Sequence, residues 1–255
     1  MISGVLLDLD GTVYIGGTAV PGSVDTLEAL RRMGVRILFM TNRSTRRPAA
    51  VADKLQILGI ECEESEVLTS AMATARYLTP GRVYCLGEEG LVSALVDQGF
   101  VLVDKSPEYV VVGMDREITY GKLTYAARWI HGGAQFVATN CDGMVNSEGG
   151  ISPGAGAIVS AVATASGAQP LVIGKPERPI FDMAMRELSL PKEGIVMVGD
   201  NLATDVLGGH SAGLRTALVT TGITPREAVQ QLQSPPPTWI IDDLTGLLDL
   251  VKGSQ

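Results

Sequence analysis

Gly4-Val5-Leu6-Leu7-Asp8-Leu9-Asp10-Gly11-Thr12 is the stretch on which the fold turns. A short apolar run, stopped by acid and glycine, reads as a buried strand over about residues 3–8. Side chains two apart on an extended chain share a face. Asp8 and Asp10 are therefore expected to project together while Leu9 turns back into the core. Neighbouring carboxylates repel, and they persist only if a cation neutralises them or one holds a proton. Gly11 permits the tight turn that follows. Such a pair suits a hard divalent cation with oxygen ligands, and Mg2+ is the natural resident. A simple Asp-Gly turn closing a strand is the bland alternative.

Three more segments share the design of an apolar run ending in polar residues. Val35–Met40 ends in Thr41-Asn42-Arg43-Ser44, and Pro170–Ile173 ends in Gly174-Lys175-Pro176. Gly194–Val198 ends in Gly199-Asp200-Asn201, with Asp205 shortly after. In an open parallel sheet, ligands bind beyond the carboxyl ends of the strands. These edges together would bring a hydroxyl, an amine and several carboxylates to one crevice. Taken singly, Thr-Asn is usually a turn and Gly-Lys-Pro usually a solvated loop. The ordered set outweighs those readings because every level points the same way.

The ordered set Asp8-x-Asp10-Gly11-Thr12, Thr41-Asn42, Lys175 and Gly199-Asp200 with Asp205 resembles the motifs of the haloacid dehalogenase superfamily. A narrower resemblance, to the class IIA or NagD-like phosphatases, rests on further segments. These are Thr69–Ala75, Val112–Arg116, Thr119-Tyr120-x-Lys122-Leu123, Ala138-Thr139-Asn140-x-Asp142 and Pro153-Gly154-x-Gly156-Ala157. They span nearly the whole chain. Arg43 departs from the pattern, since the family often has Asn or Ser there.

The resemblance implies a Mg2+-dependent hydrolase that cleaves a small phosphate monoester through an aspartyl-phosphate. Asp8 would be the nucleophile, and Asp10 would protonate the leaving group and then activate water. Lys175, Thr41 and Asn42 would hold the phosphoryl oxygens. Asp8, the main-chain carbonyl of Asp10, and Asp200 would bind the metal, with Asn201 and Asp205 supporting from behind. A dehalogenase is disfavoured by Asp10, because a halide leaves without a proton. A phosphomutase or phosphotransferase, or a catalytically idle binding module on the same fold, are the competing expectations.

The implied architecture is α/β, a Rossmann-like parallel-sheet core with an inserted smaller α/β cap domain. Apolar runs alternate with helical segments and no hairpin signal intervenes, which favours parallel strands. Around Thr79-Pro80-Gly81 the alternation restarts, with Val83–Leu86, Tyr109–Val112 and Phe136–Ala138 as strands. Residues 1–80 plus 171–255 are thus expected to form the catalytic core, and 81–170 the inserted cap. The glycine-rich stretch from Asn140 to Ile151 offers Asn140, Asp142, Met144 and Asn146 as specificity residues. Ser23 is expected to cap a helix running to about Arg32, and Thr224-Pro225-Arg226-Glu227 reads as another helix start.

Composition narrows the partners. The 255 residues carry a formal net charge of −8 and no basic stripe, so a nucleic-acid partner is disfavoured. An anionic substrate must then be drawn by local groups rather than by the overall field. Three cysteines at irregular spacing form neither a disulfide framework nor a zinc site. No apolar stretch reaches membrane-spanning length and no secretory leader is evident, so a cytoplasmic enzyme is expected. Self-association through the cap is left open. His131 and His210 read as structural, and Lys54 and Lys252 as surface charges.

Overall fold

The computed structural model describes residues 1–147, 150–227 and 235–253. The chain forms two compact units: Met1–Thr41, Ala49–Leu68 and Lys175–Gln255 make the first, Asn42–Pro48 and Thr69–Gly174 the second.

The first unit is built on a six-stranded sheet in the order Trp239–Ile241, Arg215–Val219, Ile195–Gly199, Gly4–Leu7, Arg36–Thr41, Val67–Thr69. Gly4–Leu7 lies in the middle and pairs in parallel with both neighbours, Leu7 standing opposite Val198 on one side and Phe39 on the other. All four of its residues are buried. That continuous burial is what helices on both faces of a parallel sheet demand, and it explains why the run is apolar rather than alternating. Fully buried Leu6, Leu7, Phe39 and Met40 each contribute roughly 1.5–3 kcal/mol through burial. Flanking helices include Ser23–Arg32, Pro48–Ile57 and Arg178–Leu188.

The second unit carries its own five-stranded sheet, in the order Leu171–Val172, Gln135–Ala138, Tyr109–Val112, Arg82–Leu86, Val101–Leu102. Every pairing in it is parallel. Helices Tyr120–His131 and Ala155–Ser166 pack on a core of Leu86, Val110, Val112, Phe136 and Val159. Met144–Ser147 pairs antiparallel with Gly150–Pro153. The architecture is therefore α/β with parallel sheets, the second unit inserted in the chain of the first.

Two local expectations change. The strand stops at Leu7, although Asp8 N–H still donates to the Val198 carbonyl at 2.9 Å. Ser23 does not cap its helix: its buried hydroxyl donates to the Val20 and Val13 carbonyls at 2.7 and 3.1 Å, and Gly22 takes the cap position with φ 78°. The hydroxyl ties the helix start to the preceding loop, and glycine supplies the left-handed backbone that position needs. The helix expected from Thr224 onward falls largely outside the described residues.

Candidate active site

Asp8 sits where the central strand ends, with its carboxylate turned inward and largely buried. Lys175, 3% exposed, reaches it from the start of the chain's return into the first unit. Its Nζ donates to Asp8 Oδ1 at 2.5 Å and to Asp205 Oδ1 at 2.7 Å. Asp205 Oδ2 accepts the Asn201 N–H at 3.1 Å. The π-helical turn Leu202–Val206 that carries Asp205 follows strand Ile195–Gly199 directly. Wide turns of this type are often found at functional sites.

Asp200 lies at the same strand end, 2% exposed, and its Oδ2 accepts the Ile223 N–H at 2.6 Å. One carboxylate oxygen from each of Asp8, Asp200 and Asp205 falls within 4.8 Å of the others. Glycines make room for this cluster. A Cβ on Gly11 or Gly222 would run into the Asp200 carboxylate, and one on Gly199 into that of Asp205.

The electrostatics follow from burial. Burial pushes the Asp8 carboxyl up to about 7, against the pull of Lys175 and with help from Asp205 and Asp10. Burial likewise pushes Asp200 up to about 6, with the charge of Asp8 adding to it. Asp205 is also raised by burial, against the pull of Lys175. Burial alone would lower Lys175, but Asp205 and Asp8 outweigh it and hold the amine charged. When fully ionised, three carboxylates around one ammonium leave two negative charges unmatched, the charge that one divalent cation supplies. Hard oxygen donors cradled by glycine backbone fit such an ion.

The other expected residues are placed as follows. Asp10 is exposed, and its Oδ2 accepts the Tyr14 hydroxyl at 3.2 Å. Thr41 is buried at the end of its strand. Asn201 Oδ1 accepts the Ala203 N–H at 2.9 Å and so caps the turn that carries Asp205. In the second unit, Asn42 Nδ2 donates to Asp142 Oδ2 at 3.0 Å, and Asn140 Nδ2 donates to the Asn42 carbonyl at 2.8 Å. Ser70 Oγ donates to that same carbonyl at 2.7 Å. Asn42, Asn140 and Asp142 are thus one hydrogen-bonded network, in which Asn140 is buried. Met144 is 64% exposed, and the side chain of Asn146 lies outside the described residues.

Comparison with known proteins places this arrangement. A family model described as haloacid dehalogenase-like hydrolase matches residues 5–101, and a second, HAD-hydrolase-like, matches 172–247. The acid sugar phosphatase of Staphylococcus saprophyticus is 41% identical over 248 residues, 95% of either chain. The chain belongs to the haloacid dehalogenase-like hydrolases. Among solved structures, NagD of E. coli K-12 superposes with a TM-score of 0.90 at 32% identity, covering 95% of this chain and 97% of that one. The glycerol phosphate phosphatase of Mycobacterium tuberculosis, solved in complex with magnesium, gives 0.91 at 34% identity, covering 96% of this chain and 76% of that one. Within the superfamily this chain is a class IIA, NagD-like phosphatase, an enzyme that hydrolyses phosphate monoesters. Among the described residues no helix is long and apolar enough to cross a membrane.

One part of this haloacid dehalogenase-like site escaped the sequence. The loop after strand Arg215–Val219 closes on it: Thr221 Oγ1 donates to the Gly11 carbonyl at 2.5 Å, and Thr224 N–H to the Asp200 carbonyl at 3.2 Å. The strand pattern is present. Ala217–Val219 is another apolar segment ending in polar residues, Thr220-Thr221-Gly222. That polar end carries no charged group, so nothing in it points to the site.

Proposed function

We propose that this phosphatase is Mg2+-dependent and carries the phosphoryl group on Asp8. The observation that carries the reading is the charge count at the strand ends: buried Asp8, Asp200 and Asp205 face a single buried ammonium. Asp8, the Asp10 carbonyl and Asp200 would hold the ion. When bound, Mg2+ supplies the positive charge that lets an anionic ester approach an acidic cluster.

The chain's own residues then divide the work. An Asp8 oxygen forms a bond to phosphorus while the ester P–O bond breaks, and its electron pair leaves with the alcohol oxygen. Asp10 gives its proton to that oxygen. In the second half, Asp10 takes a proton from water as the water oxygen bonds to phosphorus and the Asp8–phosphorus bond breaks. Inorganic phosphate and the starting carboxylate result. Lys175 orients Asp8 and offers positive charge to the equatorial oxygens, which gain charge in the transition state. Asp205 fixes Lys175 through their hydrogen bond. Thr41 and the main-chain amides near Asn42 add hydrogen-bond donors to the phosphoryl group.

The substrate class is a small phosphorylated metabolite such as a sugar phosphate, in keeping with the similarity to an acid sugar phosphatase. The inserted segment 81–170 acts as the cap and sets the preference among esters through Asn140, Asp142, Met144 and Asn146. The test is p-nitrophenyl phosphate hydrolysis by wild type and Asp8→Asn, with Mg2+ and in excess chelator. Wild-type activity should vanish in chelator and return with Mg2+. Asp8→Asn should lose at least about 10³-fold in kcat, since removing the attacking group removes the route. Acid quench of wild type during turnover should trap phosphorus on the protein. Full activity in chelator or in Asp8→Asn would overturn the reading.

A further inference from the structure

Asp10 and Asp8 are two residues apart, yet their surroundings differ. Asp8 is buried and bonded to Lys175, whereas Asp10 is exposed and far less constrained by packing. An exposed carboxylate that must meet a leaving oxygen in one half-reaction and a water in the next needs something to hold it. Proton transfer in a transition state depends on that alignment.

The structure supplies a holder four residues on. Tyr14 is 1% exposed, with its ring packed in the core of the first unit. Its hydroxyl donates to Asp10 Oδ2 at 3.2 Å. The intervening turn is closed on itself: Gly11 N–H donates to the Tyr14 carbonyl at 2.8 Å, and Tyr14 N–H to the Leu9 carbonyl at 3.2 Å. The start of the turn is thereby fixed to its end. Gly11, with φ 86°, makes the reversal possible. A further contact steadies the ring. Lys54 Nζ, from helix Pro48–Ile57, lies 3.5 Å from the ring centroid. Lys54, half-buried, is thus more than the surface charge its sequence context implied: it is a cation stacked on an aromatic face. A 3.2 Å contact is long for a hydroxyl donor, and such contacts at catalytic groups tighten when substrate binds.

We infer that Tyr14 is a positioning residue for the phosphatase reaction: its hydroxyl holds the Asp10 carboxyl in the orientation that serves the leaving oxygen and then the attacking water, and Lys54 holds the ring. The inference rests on the proposed role of Asp10 in proton transfer. Tyr14 makes and breaks no bond. It acts only by restricting where Asp10 points.

Leaving-group dependence tests this. Nitrophenolate departs without a proton, whereas the alkoxide of glycerol phosphate does not. Wild type, Tyr14→Phe, Lys54→Met and Asp10→Asn are assayed as full-length protein with Mg2+, for phosphoenzyme formation under single-turnover conditions and for steady-state kcat and KM. Tyr14→Phe keeps the ring and its stacking and loses only the hydroxyl. Its phosphoenzyme formation from glycerol phosphate should fall about 10- to 30-fold, a part of the 10²–10⁴-fold that a positioned acid provides. The same step from p-nitrophenyl phosphate should change by less than about 3-fold, and KM for either ester by less than about 2-fold. Lys54→Met should show the same bias at smaller size. Asp10→Asn should show it at larger size. If Asp10→Asn has the bias and Tyr14→Phe does not, the positioning role is wrong while the role of Asp10 stands. If Asp10→Asn lacks the bias, both fail. A uniform loss on the two esters in Tyr14→Phe, or a gain in rate, also overturns the inference. The first would mark a purely structural tyrosine, and the second one that restrains Asp10 away from its task.

Discussion

Lys175→Met should destabilise the protein strongly at alkaline pH and only mildly at acid pH. The side chain is 3% exposed and makes two charge-assisted hydrogen bonds, 2.5 Å to Asp8 and 2.7 Å to Asp205. At an effective dielectric of about 20 each contact is worth about 6 kcal/mol gross. Desolvation of three buried ions offsets most of that, several kcal/mol for each ion. The net worth of the cluster is therefore small, but removing one partner is not. Met leaves Asp8 and Asp205 buried with no ammonium, and breaking such a set costs about 3–5 kcal/mol. For a chain of this length that lowers the thermal midpoint by roughly 6–20 °C. The cost has an escape. Without Lys175 both carboxyls keep their protons to higher pH, so at pH 5 they stay neutral and little is lost. Thermal unfolding in chelator at pH 5 and pH 8 reads the difference directly. Lys175→Met/Asp205→Asn should recover part of the loss at pH 8, because the charge stranded by the first change is gone. A Lys175→Met protein as stable as wild type at pH 8, or a double variant whose losses simply add, would show that the three groups are not coupled and refute the argument.

Two further outcomes follow from the same site. Asp8 and Asp200 are pushed up to about 7 and about 6, above the value of 3.8 they have when unfolded. The folded chain then holds protons the unfolded chain releases, so this contribution to stability is full below about pH 4 and is lost as pH climbs toward 7. Asp200→Asn keeps an acceptor for the Ile223 N–H and removes the charge. In chelator it should be more stable than wild type by about 3 kcal/mol at pH 8 and no different near pH 4, and thermal midpoints across that range check it; Mg2+ should stabilise only the wild type. Asp142→Ala, which removes the acceptor for Asn42, should change the ranking of a panel of phosphorylated metabolites more than it changes p-nitrophenyl phosphate turnover; equal scaling of every substrate would remove the specificity role from the inserted segment.

The amino-acid sequence exposed the parts of this enzyme that obey local rules. Gly4–Leu7, Ile195–Gly199 and all but the first residue of Arg36–Thr41 are buried on both faces, so their apolar runs and abrupt polar ends are visible without any knowledge of neighbours. The residues at those ends, Asp8, Thr41 and Asp200, follow from position alone. What stayed hidden depends on distant partners. The 220–224 loop closes on the site through Thr221 and Gly11, 210 residues apart, and neither residue type advertises it. Asn42 is paired with Asp142 across 100 residues, so its amide looks free in the sequence and is not. Ser23 looks like a cap and is instead a buried tether, because its hydroxyl faces the Val13 carbonyl rather than the first turn of its helix. Tyr14 and Lys54 are the same kind of case: the Tyr14 hydroxyl meets Asp10 and its ring carries Lys54, contacts that no local pattern signals.

The glycines make the link between fold and chemistry most plainly. Gly199 and Gly222 show no positive φ, so backbone freedom does not account for them. Their reason is space, since any Cβ there would occupy the volume of the Asp205 or Asp200 carboxylate. A larger residue at either place could relieve the crowding only by moving an acid out of the cluster. That move would favour the metal-free protein, because it separates like charges that burial has already made costly. It would also scatter the oxygens that a divalent cation needs close together. The sequence thus keeps a local arrangement that weakens the metal-free fold, at the strand ends where, under the proposed function, a bound cation and an anionic ester would turn that excess of negative charge into affinity and reactivity.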